Sequence, residues 1–235
     1  MENSAYPGIE VRGVQLPLHL RNFGLITFDM DSTLINIECV DEIADAAGRK
    51  AEVSAITEAA MRGEIADYKE SLRRRVALLK GVSVASMEQV FAERLRLNPG
   101  AKELVAACKA AGMKVLLVSG GFTFFTDRVR DLLGIDYTRS NVLEIHQGRL
   151  TGRMVDQPWG DICDGEEKRT MLLATCLQLG LKPGQSITIG DGANDLPMMA
   201  VSGLSVAYHA KPRVREQAMV AINSGGLDRL LELFE

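Results

Sequence analysis

Short apolar runs that stop at polar residues or glycine recur along the chain. Four have this form: residues 25–30, 113–119, 186–190 and 203–208. A continuous apolar run of this length is typical of a strand that is buried on both faces, as in a parallel sheet. The pattern therefore predicts four buried strands.

Stretches with helical periodicity separate these runs. Three of them are followed directly by a glycine: residues 101–111, 123–133 and 167–179. Glycine often ends a helix because it readily adopts the left-handed conformation needed there. Since strands that alternate with helices predict βαβ units, we expect an α/β fold with a Rossmann-like parallel sheet.

Two parts of the chain depart from this alternation. Residues 142–154 contain two alternating runs on either side of Gln147 and Gly148, which predicts a β-hairpin. Residues 1–24 are broken by proline and glycine, and we expect a loose lead-in there.

A long stretch near the start of the chain has almost no strand signal. Residues 37–98 show mostly helical periodicity. We therefore predict that residues 1–36 and 99–235 form the α/β core and that residues 37–98 form a helical cap inserted after the first strand. An insert of this kind lies above the carboxyl ends of the strands, where α/β folds bind ligands.

Composition indicates an ordinary globular protein and limits the classes of partner that it can bind. Of its 235 residues, 46% are hydrophobic and 25% are charged, which is usual for a folded protein and fits one domain with a small insert. No apolar run reaches the roughly 18 residues of a membrane span. We therefore expect no membrane partner. Because 27 basic and 31 acidic residues leave a net charge of −4, we also expect no nucleic-acid partner. The oligomeric state stays open.

Cysteine usage bears on the compartment. The four cysteines form no C-x-x-C pair, and the N-terminus carries no apolar signal core. We therefore expect buried thiols in a reducing compartment, and a cytoplasmic protein.

The first apolar run leads directly into two carboxylates, Asp29 and Asp31. Strand residues two apart point the same way, so both should face one site. Two close carboxylates stay ionised only if they share a cation or if one is protonated. One can then attack a phosphorus atom while the other transfers a proton. The alternative is a helix N-cap, for which a single such residue would be enough.

Two weaker signals suit phosphate binding. Ser119, Gly120 and Gly121 end the second apolar run and can present a hydroxyl and bare N–H groups to an anion, although a plain turn is the common alternative. Lys168 lies near the start of a helix. By itself it would usually be an exposed surface lysine, and it matters only if it reaches a phosphoryl group.

A further acidic motif follows the run at residues 186–190. Asp191, Asn194 and Asp195 come between that strand and a helix, and the two carboxylates are hard oxygen ligands of the kind Mg²⁺ prefers. Asp29 could join them. A dinucleotide site is disfavoured because Asp195 stands where the fingerprint needs glycine. A plain turn before an acidic helix start is the remaining alternative.

These four segments lie at the carboxyl ends of predicted parallel strands, which converge on one crevice. Their residues resemble, in order, the motifs of haloacid dehalogenase (HAD) superfamily phosphatases: D-x-D-[ST] from Asp29, S-G-G from Ser119, Lys168, and G-D-G-x-N-D from Gly190. The resemblance runs from about residue 25 to the C-terminus. Residues 37–39, 61–64, 71–75 and 208–212 resemble the phosphoserine phosphatase branch.

The resemblance implies a Mg²⁺-dependent phosphomonoesterase that hydrolyses O-phosphoserine, the last step of serine biosynthesis. It implies that Asp29 forms an aspartyl-phosphate, and that Asp31 acts first as general acid and then as general base. The implied metal ligands are the Asp29 carboxylate, the Asp31 backbone carbonyl and Asp191, with Asp195 supporting them. The implied phosphate ligands are Ser119, Gly120, Lys168 and Asn194.

The same resemblance places substrate recognition in the insert. A zwitterionic amino acid offers an ammonium, which Glu38 could pair with, and a carboxylate, which Arg75 could grip with two N–H groups. The alternative for Arg75 is a solvated face, since it ends a run of three arginines.

Four other residues of these stretches have less defined roles. We expect Met61 to be core rather than pocket wall and His209 and Lys211 to be structural or peripheral, and the role of Tyr68 stays open. Other functions also stay open: phosphoryl transfer to an alcohol acceptor, hydrolysis of another small metabolite such as phosphohomoserine, and a non-catalytic phosphate-binding module. The presence of both Asp29 and Asp31 argues against the last.

Overall fold

The fold is built on one long mixed sheet. In a computed structural model, which describes residues 6–61, 65 and 67–235, the strands are β1 (Ile9–Val11), β2 (Leu25–Phe28), β3 (Lys114–Phe122), β4 (Tyr137–His146), β5 (Arg149–Val155), β6 (Ser186–Gly190), β7 (Leu204–Tyr208) and β8 (Val220–Ile222). Their order across the sheet is β1-β8-β7-β6-β2-β3-β4-β5. Neighbouring strands from β8 to β4 pair in parallel, whereas β1 and β5 pair antiparallel at the two edges. The predicted α/β fold with a parallel sheet is confirmed.

Helices cover the sheet and form the insert. They are α1 (Cys39–Ala46), α2 (Lys50–Met61), α3 (Tyr68–Ala77), α4 (Val84–Gln89), α5 (Ala101–Ala110), α6 (Thr123–Leu133), α7 (Gly165–Gln178), α8 (Leu196–Met199) and α9 (Pro212–Gln217). The predicted helix at residues 123–133 coincides with α6, and α5 and α7 lie within two residues of their predicted bounds. Within the described ranges, no helix combines the length and apolar character needed to cross a lipid bilayer.

The central strands β2, β6 and β7 are buried at every position, because they are covered on both faces. Ile26 and Phe28 of β2 pack into the largest apolar cluster, which also contains residues of the insert. Leu25 of β2 packs instead with Leu116 of β3 and Leu172 of α7 in a second cluster. Since successive strand residues point to opposite faces, a strand that is covered on both faces is built mainly from apolar residues.

The insert is tied to the core where the chain enters and leaves it. The Asn98 side chain donates hydrogen bonds to the carbonyl oxygens of Thr33 (2.8 Å) and Ile35 (3.0 Å). Backbone pairing between Ile35 and Leu97 holds the same two segments side by side. Helices α1 to α4 therefore start and end at one point above the sheet.

The predicted hairpin is confirmed, but it is longer than expected and packs against the insert. It consists of β4 and β5, and the N–H groups of Gly81 and Leu150 donate to the carbonyl oxygens of Leu150 and Val82, each at 2.8 Å. The expectation of a loose lead-in is wrong for part of residues 1–24. Ile9 is fully buried, because β1 covers the edge of β8.

Candidate active site

The register of the sheet brings three motif segments to one edge. Phe28, the last residue of β2, pairs with Leu117 of β3 on one side and Ile189 of β6 on the other. The residues that follow open onto a cavity of about 370 Å³. The cavity is lined on the core side by Asp29, Asp31, Ser119, Gly120, Gly121, Phe122, Asp191, Gly192, Asn194 and Lys211, and on the insert side by Glu38, Val40, Asp41, Thr57, Tyr68, Leu72 and Arg75.

A buried group of charges forms the floor of the site. The Lys168 ammonium, with no exposed surface, donates to Asp29 Oδ1 at 2.5 Å and to Asp195 Oδ1 at 2.7 Å. Burial acts to lower the pKa of Lys168, but the charges of Asp195 and Asp29 outweigh it and raise the pKa well above its usual value. The ammonium is therefore held charged, and the alternative of an exposed surface lysine is wrong.

Asp195 shapes the loop that carries Asp191. Its Oδ2 accepts hydrogen bonds from the backbone N–H groups of Asp191 (3.1 Å) and Gly192 (3.0 Å). Any Cβ at position 190 would lie 2.3 Å from that same oxygen. Glycine is therefore required at position 190 for the Asp195 carboxylate to lie so close to the backbone. Both Asp195 oxygens are thus engaged by protein donors.

The acidic residues of the floor are suited to a divalent cation. One carboxylate oxygen from each of Asp29, Asp191 and Asp195 lies within 4.8 Å of the others. Burial, followed by the charge of Asp195, raises the pKa of Asp191 to about 7, and burial raises the pKa of Asp29 well above its usual range. A cation bound among these oxygens would offset both effects, since it favours the ionised carboxylates. The cluster fits a metal with a preference for hard oxygen ligands.

Asp31 lies beyond the end of β2 and lines the same cavity as Asp29. Its Oδ2 accepts the Cys39 N–H at 3.2 Å, and its Oδ1 is buried without a hydrogen-bond partner among the described residues. Burial, followed by the charge of Glu38, raises the pKa of Asp31 to about 7. A carboxyl group with this pKa can both give and take a proton near neutral pH.

The C-terminal part of β3, residues 119–122, lines the cavity together with Asp29 and Asp31. The Gly121 N–H donates to Ser119 Oγ at 2.9 Å, and a Cβ on Gly121 would lie 3.4 Å from Asp31 Oδ2. At position 120 a Cβ would lie 2.1 Å from the Tyr68 hydroxyl. Position 120 must be glycine, because the Tyr68 hydroxyl of the insert occupies the space that a side chain would fill.

The insert side of the cavity carries the predicted pair of charges. Ser32 Oγ donates to Glu38 Oε1 at 2.6 Å, and Arg75 lines the same cavity. The other arginines of the run point elsewhere: Arg73 pairs with Asp161, and Arg74 pairs with Glu70 at 2.7 Å. The three arginines of the run therefore point to different places, and Arg75 is not part of a solvated face.

Some cavity residues were missed by the sequence analysis. The expectation that Lys211 is peripheral is wrong, since it lines the cavity. Its position three residues after β7 could have revealed it, because β7 ends at the same edge of the sheet. Asp41 and Thr57, which lie in helices, had no such signal. The Met61 side chain and residues 62–64 lie outside the described residues.

Comparison with known proteins agrees with this geometry. The model of the haloacid dehalogenase-like hydrolase family matches residues 26–200, which include all four motif segments. The chain belongs to this family. Known proteins align with it over nearly its whole length. A phosphoserine phosphatase from Polaromonas sp. is 80% identical over 97% of this chain and 96% of its own, and one from Albidiferax ferrireducens is 73% identical over 97% of each chain.

Solved HAD structures are similar in fold as well. A phospho-aspartyl intermediate analogue of phosphoserine phosphatase is 36% identical, covers 91% of this chain and 99% of its own, and superposes with a TM-score of 0.83. A HAD family hydrolase from Salmonella enterica serovar Typhi is 38% identical with a TM-score of 0.85, over 96% of this chain and 74% of its own.

Proposed function

We propose that the chain is a Mg²⁺-dependent phosphomonoesterase that hydrolyses O-phosphoserine to serine and phosphate, the step that completes serine biosynthesis. The observation that carries the proposal is the pairing of Asp29 with buried Lys168 in the same site as Asp31, whose pKa lies near 7. This pairing lies beneath an insert wall that carries both Glu38 and Arg75. The 80% identity with a phosphoserine phosphatase supports the choice of substrate.

Asp29 is the proposed nucleophile. Its carboxylate forms a bond to phosphorus while the bond from phosphorus to the serine oxygen breaks, and Asp31 gives its proton to that leaving oxygen. In the second step Asp31 takes a proton from water, the water oxygen attacks phosphorus, and Asp29 is released. Two displacements allow one residue, Asp31, to serve as acid and then as base.

The residues around Asp29 hold and neutralise the phosphoryl group. Lys168 contributes a fixed positive charge, and the hydroxyl of Ser119, the N–H of Gly120 and the amide of Asn194 are the proposed donors to its oxygens. Mg²⁺, held by Asp29, the Asp31 carbonyl and Asp191, supplies further neutralisation of phosphoryl charge when bound. We assign Asp195 a supporting role, because both of its oxygens already accept protein hydrogen bonds.

Recognition of the amino acid is assigned to the insert, residues 37–98, acting as a cap. Glu38 receives the substrate ammonium, and Arg75 donates to the substrate carboxylate. The cap also excludes water during the first displacement and admits it for the second. All four cysteines are buried and free, which supports a reducing compartment such as the cytoplasm.

A phosphate-release screen over small phosphomonoesters, with Mg²⁺ or with EDTA, tests the proposal. We expect kcat/KM to be highest for O-phosphoserine, lower for phosphothreonine and phosphoglycolate, and lost in EDTA. Preference for a substrate without an ammonium group would overturn the assignment of Glu38. Formation of phosphohomoserine from added homoserine faster than release of phosphate would show a phosphotransferase instead.

A further inference from the structure

A second carboxylate of the insert wall has no role in the reaction proposed above. Asp41 lies in the first turn of α1, and Glu38, three residues earlier, is the N-cap of that helix. Both line the cavity. The Oδ1 atom of Asp41 is buried and has no hydrogen-bond partner among the described residues. Buried carboxylate oxygens nearly always accept hydrogen bonds. We therefore expect the donor to this oxygen to arrive with the substrate or to move into place when the substrate binds.

The charges near Asp41 identify that partner. Burial raises the pKa of Asp41, while the positive charges of Arg75, first, and Lys50, second, act to lower it. Lys50 already pairs with Glu42 at 3.7 Å. Arg75 makes one side-chain hydrogen bond within the described part of the chain, a long one from Nε to the carbonyl oxygen of Ser71 in its own helix (3.4 Å). Its terminal nitrogens donate to no other group among the described residues.

We propose that Asp41 is a positioning residue for Arg75: its carboxylate accepts from one edge of the guanidinium while the other edge donates to the carboxylate of the substrate. A guanidinium can do this because its five N–H donors lie in one plane and point along more than one edge. This inference rests on the proposed function, in which Arg75 binds the substrate carboxylate.

The two carboxylates of the insert wall then have different tasks. Glu38 already accepts from Ser32 and keeps its second oxygen for the substrate ammonium. Asp41 restricts the rotamers of Arg75 before the substrate binds. Without Asp41, this long side chain would lose its conformational entropy on substrate binding, which weakens the affinity. The rival assignment is that Asp41 is itself a second ligand of the ammonium.

The first measurement compares kcat and KM of Asp41→Asn on O-phosphoserine and on p-nitrophenyl phosphate. Asn has nearly the same shape but lacks the charge, so KM for phosphoserine should rise roughly tenfold, the effect of losing one charge-assisted hydrogen bond, while kcat changes little. The artificial ester has no carboxylate and should be affected much less. The matched control is Asp45→Asn on the same helix, where Asp45 pairs with Arg94 and does not line the cavity. It should behave as the wild type. Equal losses on both esters would overturn the proposal, because Asp41 would then support folding or closure of the insert.

Double mutants separate the proposal from its rival. If Asp41 acts through Arg75, adding Asp41→Asn to Arg75→Ala should change KM by less than about twofold, whereas adding it to Glu38→Gln should multiply the two effects. A full additional loss in the Arg75→Ala background, or no additional loss in the Glu38→Gln background, would assign Asp41 to the ammonium and refute the positioning role.

The wild-type protein tests the proposed function separately, since it must first turn over O-phosphoserine. If it prefers another carboxylate-bearing phosphomonoester, the substrate assignment fails and the same cycle on that ester decides the role of Asp41. If it prefers an ester without a carboxylate, both proposals fail.

Discussion

At the scale of single residues, the site is organised by the buried ammonium of Lys168. A lysine surrounded by apolar residues would lose its proton, but Asp29 and Asp195 are both in hydrogen-bonding contact with it. With Asp191 added, three carboxylates and one ammonium leave a charge of −2 on the floor of the cavity. This is the charge that one divalent cation neutralises, so the proposed nucleophile Asp29, the Lys168 ammonium and the proposed metal site form one electrostatic unit.

Replacing the nucleophile tests this assignment. Asp29→Asn should reduce phosphate release by roughly 10³-fold or more, because an amide does not form the aspartyl-phosphate. Its side-chain oxygen can still accept from Lys168, so circular dichroism should show a folded protein. Rapid acid quench of the wild type with labelled phosphoserine should leave the label on Asp29, and label on any other residue would contradict the mechanism.

The carboxyl of Asp31 makes stability depend on pH. Its pKa is about 7 in the folded protein and about 4 in an unfolded chain, so the folded protein binds more protons between these values. Stability should therefore fall as the pH rises from 5 to 8. Thermal unfolding in EDTA should show a smaller difference in Tm between pH 5 and pH 8 for Asp31→Asn than for the wild type.

Asp136→Asn is the control for this measurement. Hydrogen bonds from Lys114 and Val115 to Asp136 outweigh its partial burial and lower its pKa, so Asp136 is ionised in both states above pH 5. The difference in Tm between pH 5 and pH 8 should stay as in the wild type. If Asp31→Asn leaves that difference unchanged as well, the pKa of Asp31 is not raised.

At the scale of elements, α3 connects the cavity to the core. It begins at the Asp67 N-cap, whose side chain accepts the Lys69 N–H at 2.9 Å. One face of the helix carries Lys69 and Arg73, which both pair with Asp161 in the segment between β5 and α7. Another part of the helix surface places Arg75 at the cavity. Helix α3 thus links the ion pairs with Asp161 to the position of Arg75 in the cavity wall.

Removing the shared carboxylate should loosen this contact. Asp161→Asn breaks both pairs, and because the side chains are partly exposed we expect only a modest rise in KM for phosphoserine, roughly two- to tenfold at low ionic strength. The rise should shrink in 1 M salt, since screening weakens the wild-type pairs as well. The comparison variant is Asp136→Asn, which breaks the pair with Lys114 at the other end of β3. If both variants raise KM equally, α3 does not transmit the effect.

At the scale of the whole molecule, a ligand that binds the site also stabilises the folded protein. The carboxylates of Asp29, Asp191 and Asp195 come from the segments that follow β2 and β6, and their repulsion opposes the packing of those elements. A cation that binds only the folded protein should therefore stabilise the entire sheet.

Thermal unfolding with and without Mg²⁺ measures this coupling. At a concentration one hundred times its Kd, Mg²⁺ should stabilise the fold by about 2.7 kcal/mol, which raises Tm by roughly 5–10 °C for a chain of this size. Asp191→Asn should lose most of that increase while raising Tm in EDTA, because one repelling charge is gone. An equal Mg²⁺ effect in both proteins would place the metal elsewhere.

Local pattern by itself determined the elements and the list of chemical groups. The strand at residues 186–190, the helix at residues 123–133 and the hairpin around Gly148 could be predicted because strand and helix geometry relates residues only a few positions apart. The motif residues Asp29, Ser119 and Asp191 could be predicted because parallel strands end at one edge, and the shared register of β2, β3 and β6 brings them to one cavity.

Only the tertiary structure decided which of these groups meet and which environment each one has. Ile9–Val11 is too short for a periodic signal and is a strand only because β8 pairs with it. Lys168 resembles a surface lysine until the packing of α7 buries it between two aspartates that lie 139 and 27 residues away. Asp41 lies within α1 and Lys211 directly precedes α9, and neither charge stands out in the sequence. Their place on the cavity wall depends on how the insert lies over the sheet. Burial, pKa and contact depend on distances between residues far apart in the chain, and local periodicity contains no information on those distances.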